Sequence, residues 1–556
     1  MIFVFLFVGI WRLWVIASQP PHLFDIAAEI GSIAQTRVGL FPNRNGSSLI
    51  FFQETETGLG TYLCETASGK SHLLFEQKEK GYGNQFRMLG WSPDDSYFAY
   101  AVLADPSPTN SLKAIILYNG ISGEPMAKIP AEACSPDSQF IWLSTRSFAY
   151  STYTHRSWLI FSQNPDGNWV QTQVVKRFTD GKLINLTVIS PHSIAWLKTG
   201  DIWTFDFSSG TSEKIWESST NQLRSFSYAE ETGNFLLNCG DEIGPFSIAF
   251  RPPTSWDKQG SILNTVRNPV RERYADLDMR HGLYSFALKI NTNLVPTTFV
   301  WEGMLRYHAI GGDFLFFTGN DVGGAPGIWQ YDIKSKTVRS LVSGLQRTLK
   351  HSKIVPSLNR AGTNASGKEI GYHLWEPTHV SPGKKYPLIL GQSLYVWNSS
   401  PQVAANAGYY FATANFTNWI NEIDTWPAEV TGLYEILAKN PNIDTNRVFL
   451  IAYSAQAGDV GQVLASKPDF CAGLILFHPA SWPDLSKTHI SKIFLVGGTD
   501  DKEDSLPEQL IKFQNDAVSF GTDFHFLLQD GVQHLTRSVA TEREQAVQLA
   551  RFLAGK

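Results

Sequence analysis

The chain has 556 residues, 43% hydrophobic and 17% charged, with a net charge of −5. That length suits two or three folded domains, and that balance excludes a largely disordered chain. A net negative charge without a long basic stretch argues against a nucleic-acid partner.

Residues 1–18, MIFVFLFVGIWRLWVIAS, are almost wholly apolar. They read as a signal peptide, with Val15-Ile16-Ala17 as a small-residue cleavage context, or as an N-terminal membrane anchor. Arg12 interrupts the run, which is at the short limit for spanning a bilayer. An exported protein (periplasmic or extracellular) is the expectation, and a membrane-anchored one the alternative. Residues 19–42 read as a connecting segment.

From 43 to 347 the chain is a series of short alternating or apolar runs broken by Gly, Asn, Asp and Ser, such as SLIFF, SYFAYAV and NFLLNC. These are strand signals, and few stretches carry a helical period. The 17 Trp also suit a β-rich core. A unit of strand, polar turn and strand recurs around Leu63, Leu117, Leu159, Trp203, Ser247, Phe286 and Trp329. Its spacing is roughly 40 residues, the period of a propeller blade. Seven copies predict an all-β seven-bladed propeller, in which each sheet covers its neighbours; two stacked β-sandwiches are the alternative. The four cysteines, Cys64, Cys134, Cys239 and Cys471, are scattered without metal-site or disulfide spacing. No metal or other cofactor is implied.

Over 351–556 strands alternate with helices, the mark of a doubly wound, mostly parallel sheet. GKEIGYHLWEP, KKYPLILGQSLY, GYYFATANF, DTNRVFLIAYS, FCAGLILFHPA, SKIFLVGGTDD and TDFHFLLQDG read as strands. PAEVTGLYEILAKN and TEREQAVQLARFLAG read as helices. The stretch between FCAGLILFHPA and SKIFLVGG is short for a helical crossover.

Ser454 follows the strand VFLIAY and precedes the small-residue stretch AQAGDVGQVLA. Strand, sharp turn and helix is the setting of a nucleophile elbow, which lifts a serine hydroxyl above the sheet. It also aims the backbone N–H of the next residue, Ala455, at a developing oxyanion. The usual G-x-S-x-G is here Ala452-Tyr453-Ser454-Ala455-Gln456, and Gln456 is the larger departure. Asp500 ends a later strand, with Asp501 as its nearest rival, and His534 follows the last strand. Ser, Asp, His is the chain order of α/β-hydrolase triads. His525, between two Phe, reads as structural, and His478 as a pocket or loop residue. The glycines of GDVGQV read as helix packing rather than a phosphate loop.

NASGKEIGYHLWEPTHVSPGKKYPLIL and NPNIDTNRVFLIAYSAQAG, together with the blade repeat and the LGWSPDDSYFAYA turn, resemble the prolyl oligopeptidase family of serine peptidases. The resemblance covers nearly all of the chain after residue 40. It implies a β-propeller followed by an α/β-hydrolase catalytic domain, and a triad of Ser454, Asp500 and His534. It also implies a second oxyanion donor from the loop Gly391-Gln392-Ser393-Leu394-Tyr395, through a backbone N–H near Ser393 or the Tyr395 hydroxyl. That loop departs from the family pattern. Hydrolysis of short peptides through an acyl-enzyme is the function implied. An esterase on the same scaffold, or a catalytically weak or silent binding protein, is the alternative.

Overall fold

A computed structural model describes residues 23–555 except 34–35, 79–85, 104–111, 131–138, 153–156, 177–183, 218–222, 230–233, 242–243, 252–260, 268–282, 291–292, 301–303, 321–325, 344–353, 393–398, 415–425, 487, 500, 502–505 and 533–537. The apolar segment 1–18 therefore lies outside the described residues. No helix among those described is long and apolar enough to cross a membrane.

Antiparallel sheets follow one another over residues 36–78, 86–130, 140–176, 184–216, 223–267, 283–300 and 304–343. Each has four strands in chain order except that over 283–300, which has two among the described residues. The centres of the sequence repeat lie on the third strand of every four-stranded sheet, and on the first strand of the shorter one. Its polar turn has a local cause. The Asn119 side chain accepts from the N–H groups of Ile121 and Ser122, both at 2.9 Å. Asp206 accepts from Ser208 and Ser209 at 2.9 and 2.8 Å, and Asp332 from Lys334 and Ser335 at 2.8 and 2.9 Å. Such Asx turns close the hairpin without help from elsewhere in the chain. The N–H groups of Ser209 and Ser335 hold the Asp206 and Asp332 carboxyls below the usual range.

Neighbouring sheets are tied by the same device used twice. Trp91 Nε1 donates to Phe41 O at 2.9 Å, and Trp142 Nε1 donates to Gly90 O at 3.1 Å, each bond reaching back to the preceding sheet. The first and last sheets also meet. Leu40, Leu49 and Phe51 share one cluster with Phe316, Ile328 and Val342, and the Arg339 guanidinium donates to Ala67 O at 2.9 Å.

The remainder is one eight-stranded sheet. Its strands are β1 (Leu358–Thr363), β2 (Glu369–Trp375), β3 (Tyr386–Gln392), β4 (Tyr410–Ala414), β5 (Ile443–Tyr453), β6 (Gly473–Phe477), β7 (Lys492–Gly498) and β8 (Asp523–Gln529). Their spatial order is β1-β2-β4-β3-β5-β6-β7-β8. The β1–β2 and β2–β4 pairs are antiparallel and the others parallel. The helices are α1 (Leu23–Gly31), α2 (Ser400–Asn406), α3 (Trp426–Leu437), α4 (Gln456–Ser466), α5 (Leu506–Ser519) and α6 (Val539–Leu553). Three of them, α3, α4 and α5, cover one face through Val430, Leu433, Val460, Val463, Phe513 and Ala517. The other three cover the opposite face through Ala27, Ile30, Val403, Ala404, Leu549 and Phe552. Central β5 shows why both faces need cover: Val448, Leu450 and Ala452 point to the first cluster, Phe449 and Ile451 to the second.

One connection departs from expectation and one follows it. Residues 23–31, within the segment read as a connection, form α1, which docks on α6 at the far end of the chain. Between β6 and β7 the described residues contain no helix, as the short spacing suggested. An irregular run replaces it and buries Leu485 and Ile490 in the first cluster.

The docking of α1 depends on a residue without a side chain. A Cβ on Gly31 would stand 2.7 Å from Arg543 Cα and 2.8 Å from Ala546 Cβ. Gly31→Val is expected to destabilise the protein by about 1–3 kcal/mol, the usual range for overpacking. Urea unfolding followed by tryptophan fluorescence measures this, with Ala28→Ser on the same helix as the control.

Candidate active site

Ser454 and Ala455 join β5 to α4, and Ser454 has φ +50°, in the left-handed region. For a residue with a Cβ that conformation costs roughly 1–2 kcal/mol, so it persists only where its surroundings impose it. Those surroundings are visible. Ser454 N–H donates to Phe477 O on β6 at 3.1 Å, which ties the turn to the adjacent strand. Tyr453 stacks on Phe477 with ring centroids 4.7 Å apart. Beyond the turn, Ala457 N–H donates to Ser454 O at 3.2 Å and starts the helix.

The N-cap of α4 is Ala455, which has no side chain able to cap. Ser481, from the β6–β7 connection, supplies the missing group: its Oγ accepts from Gly458 N–H at 2.8 Å and donates to Ala455 O at 2.7 Å. This approach needs glycine in the helix, because a Cβ on Gly458 would lie 2.7 Å from Ser481 Oγ. At Gly461 an added Cβ would meet Pro483 Cα at 3.4 Å, an ordinary contact. Of the glycines of GDVGQV, Gly458 thus serves helix packing, as the sequence suggested.

Gln456 is the first residue of α4 and is buried, 8% exposed. Ala452 is buried at 2%, two residues before the serine. Asp500, His534, Ser393 and Tyr395 lie outside the described residues. Of the site residues named from sequence, the structure therefore places Ser454 and Ala455, the latter exposed at the turn.

The structure also joins two residues that the sequence left apart. His478 follows β6, is 1% exposed and has φ +46°. Its Nδ1 lies 3.1 Å from Asp501 Oδ2, and neither side chain reaches solvent appreciably, at 1% and 0%. Asp501, read as the rival to Asp500, is thus engaged by a different histidine. No spacing rule could have paired them; they meet only because β6 and β7 are parallel neighbours. His525 Nε2 lies 3.2 Å from Asp523 Oδ2, and its ring packs edge-on to Phe552, consistent with a structural role on β8.

Thiol chemistry fares worse than the serine. Cys64 and Cys471 are free and buried. Burial pushes the Cys64 thiol up to about 11 and the Cys471 thiol up to about 12, so neither supplies a thiolate near neutral pH. Among the described residues no three His, Cys, Asp or Glu side chains gather as metal ligands would.

No protein-family model and no curated protein sequence matches this chain. Solved structures do. An acylaminoacyl peptidase in complex with Z-Gly-Gly-Phe-chloromethyl ketone aligns at TM-score 0.56 and 12% identity, over 94% of this chain and 95% of its own. The AtxE2 isopeptidase aligns at 0.54 and 10%, over 97% and 96%. Porphyromonas gingivalis dipeptidyl peptidase 4 aligns at 0.50 and 12%, over 97% and 100%. The fold is that of the prolyl oligopeptidase-type peptidases. At these identities the likeness is one of fold, and it spans both halves of the chain in one alignment.

The strained turn yields a stability signature separate from any activity. Ser454→Gly removes the Cβ that left-handed backbone disfavours, whereas Ser454→Ala keeps it. The glycine variant is expected to be more stable than the alanine variant by about 1 kcal/mol, although glycine normally weakens a strand–helix junction. Thermal unfolding of the two variants side by side decides this; equal midpoints, or a more stable alanine variant, would contradict the strained-turn account.

Proposed function

We propose that the protein is a serine peptidase of prolyl oligopeptidase type that hydrolyses short peptides through an acyl-enzyme on Ser454. The observation that carries this reading is the left-handed Ser454 at the junction of a central parallel strand and a helix. A serine held at that cost has few structural uses, and a partly accessible nucleophile at the carboxyl end of the sheet accounts for it.

In the proposed reaction Ser454 Oγ attacks the scissile carbonyl while His534 takes its proton. His534 then returns that proton to the leaving amine, and water attacks the acyl-enzyme by the same route. Asp500 holds the imidazole tautomer and stabilises its charged form. The order of the three along the chain, each following a strand of the mixed sheet, supports these roles. Ala455 N–H is one oxyanion donor, at the start of α4 where backbone N–H groups favour negative charge. The loop with Ser393 and Tyr395 follows β3, and it is the proposed source of the second.

We read the repeated sheets as a seven-bladed propeller whose ring limits access to a site beside the hydrolase domain, so that short peptides are preferred over folded proteins. The contact between the first and last sheets supports ring closure. We read the N-terminal 1–18 as a signal peptide or anchor that exports the protein. Gln456, buried where the usual elbow has glycine, favours one second reading: a weakly active or silent peptide-binding protein on this scaffold.

A fluorophosphonate probe separates the two. Wild type is expected to become labelled, and Ser454→Ala to lose labelling completely. Asp500→Asn should lower turnover on the order of 10³–10⁴-fold, the cost of a misdirected imidazole in such triads. Equal labelling of wild type and Ser454→Ala would sink the serine assignment, and no labelling of either would favour the binding protein.

A further inference from the structure

The ends of β5, β6 and β7 lie side by side, with Tyr453 level with Phe477 and Phe477 level with Val496. One residue beyond the first two ends stand Ser454 and His478, both left-handed. Just beyond the third stands Asp501. Three bonds link these ends in series. Ser454 N–H donates to Phe477 O at 3.1 Å, and His478 N–H donates to Val496 O at 2.8 Å. His478 Nδ1 meets Asp501 Oδ2 at 3.1 Å, the separation of an N–H donating to a carboxylate. Asp501 N–H reaches back to Gly498 O at 3.3 Å.

Burying a carboxylate and an imidazole costs more than filling the same space with apolar side chains, so packing alone does not account for the pair. What the pair supplies is direction. Asp501 is joined by one peptide bond to Asp500, and its side chain is drawn towards the end of β6. The same strand end holds the Ser454 turn through Phe477. Nucleophile turn and acid loop are thus referred to a single element.

We propose that the buried His478–Asp501 pair is a positioning clamp: it holds the loop carrying Asp500 in register with the Ser454 turn, without either residue touching substrate. The proposal rests on Ser454, Asp500 and His534 being the triad, and it goes beyond that reading by assigning a role to the second aspartate and to a histidine outside it.

The test uses the full chain and four variants: His478→Ala, His478→Asn, Asp501→Ala and His534→Ala. Asn carries an N–H the same number of bonds from Cβ as His Nδ1, so it can still donate to Asp501. Fluorophosphonate labelling is resolved into the maximal inactivation rate and the probe concentration giving half of it. His478→Ala is expected to slow the maximal rate about 10–100-fold, the scale of an ångström-sized displacement, and to leave the half-saturating concentration unchanged. His478→Asn should recover most of that loss, and Asp501→Ala, which removes the acceptor, should resemble the alanine variant at 478. His534→Ala should abolish labelling.

A His478→Ala protein that folds and labels at the wild-type rate would overturn the clamp. So would complete loss in His478→Ala without rescue by Asn, because that outcome makes His478 the base itself. Hydrogen exchange covers a failure of the triad reading. If wild type does not label at all, faster exchange of residues 452–456 and 496–501 in His478→Ala, restored in His478→Asn, still supports the clamp. Unchanged exchange there would refute it. If the His478→Ala variant fails to fold, the His478→Asn and Asp501→Ala proteins carry the same comparison.

Discussion

The site depends on one backbone constraint: a residue with a side chain held left-handed where a buried strand becomes a helix. Sterics oppose that conformation, and the fold supplies several opposing restraints. The amide of Ser454 is bonded across to β6, Tyr453 is stacked on Phe477, and α4 is capped from outside by Ser481. Because Gly458 carries no side chain, the β6–β7 connection lies close enough to α4 to provide that cap. The missing crossover helix and Gly458 of α4 are therefore two sides of one arrangement. The connection that replaces the helix sits against the helix that begins at the elbow.

The same economy joins the two halves of the chain. The first antiparallel sheet reaches the mixed sheet through Thr55 O, which accepts from Val539 N–H at 2.8 Å at the start of α6. Arg543 on α6 pairs with Glu56 at 2.9 Å and donates to Ser32 Oγ, just after α1, at 2.7 Å. The buried Glu542 accepts from Ser399 N–H at 2.7 Å, immediately after the loop that carries Ser393 and Tyr395. One turn of α6 thus touches the N-terminal helix, the first sheet and the end of the candidate oxyanion loop. Position of the last helix and position of Ser399 are coupled.

Much of this was legible along the chain because its causes are local. The polar turns at Asn119, Asp206 and Asp332 close their hairpins with bonds two or three residues long, so the repeat announced the successive sheets. The uninterrupted apolar runs of β5, β6 and β7 announced strands buried on both faces. The strand VFLIAY followed by small residues was enough to single out Ser454. Helix α1 was missed for the opposite reason: nine residues are too few to show a firm period, and the surface that stabilises them lies on α6. The likeness to known peptidases was legible through the same local features, and at about a tenth identity the structure extends it along almost the whole chain.

Sequence by itself determined seven of the eight strands of the mixed sheet, all but β1, where the repetitive half gives way to the mixed one, and which serine sits at the sharp turn. Each of these follows from side-chain pattern within a window of some ten or twenty residues. Tertiary structure alone decided that Asp501 is buried against His478, that Ser481 caps α4, and that α1 belongs to the layer covering the mixed sheet. Those choices are made by strand order and by close approach between segments distant along the chain. Parallel pairing brings the ends of β5, β6 and β7 together, and no periodicity within any one of them encodes its neighbours.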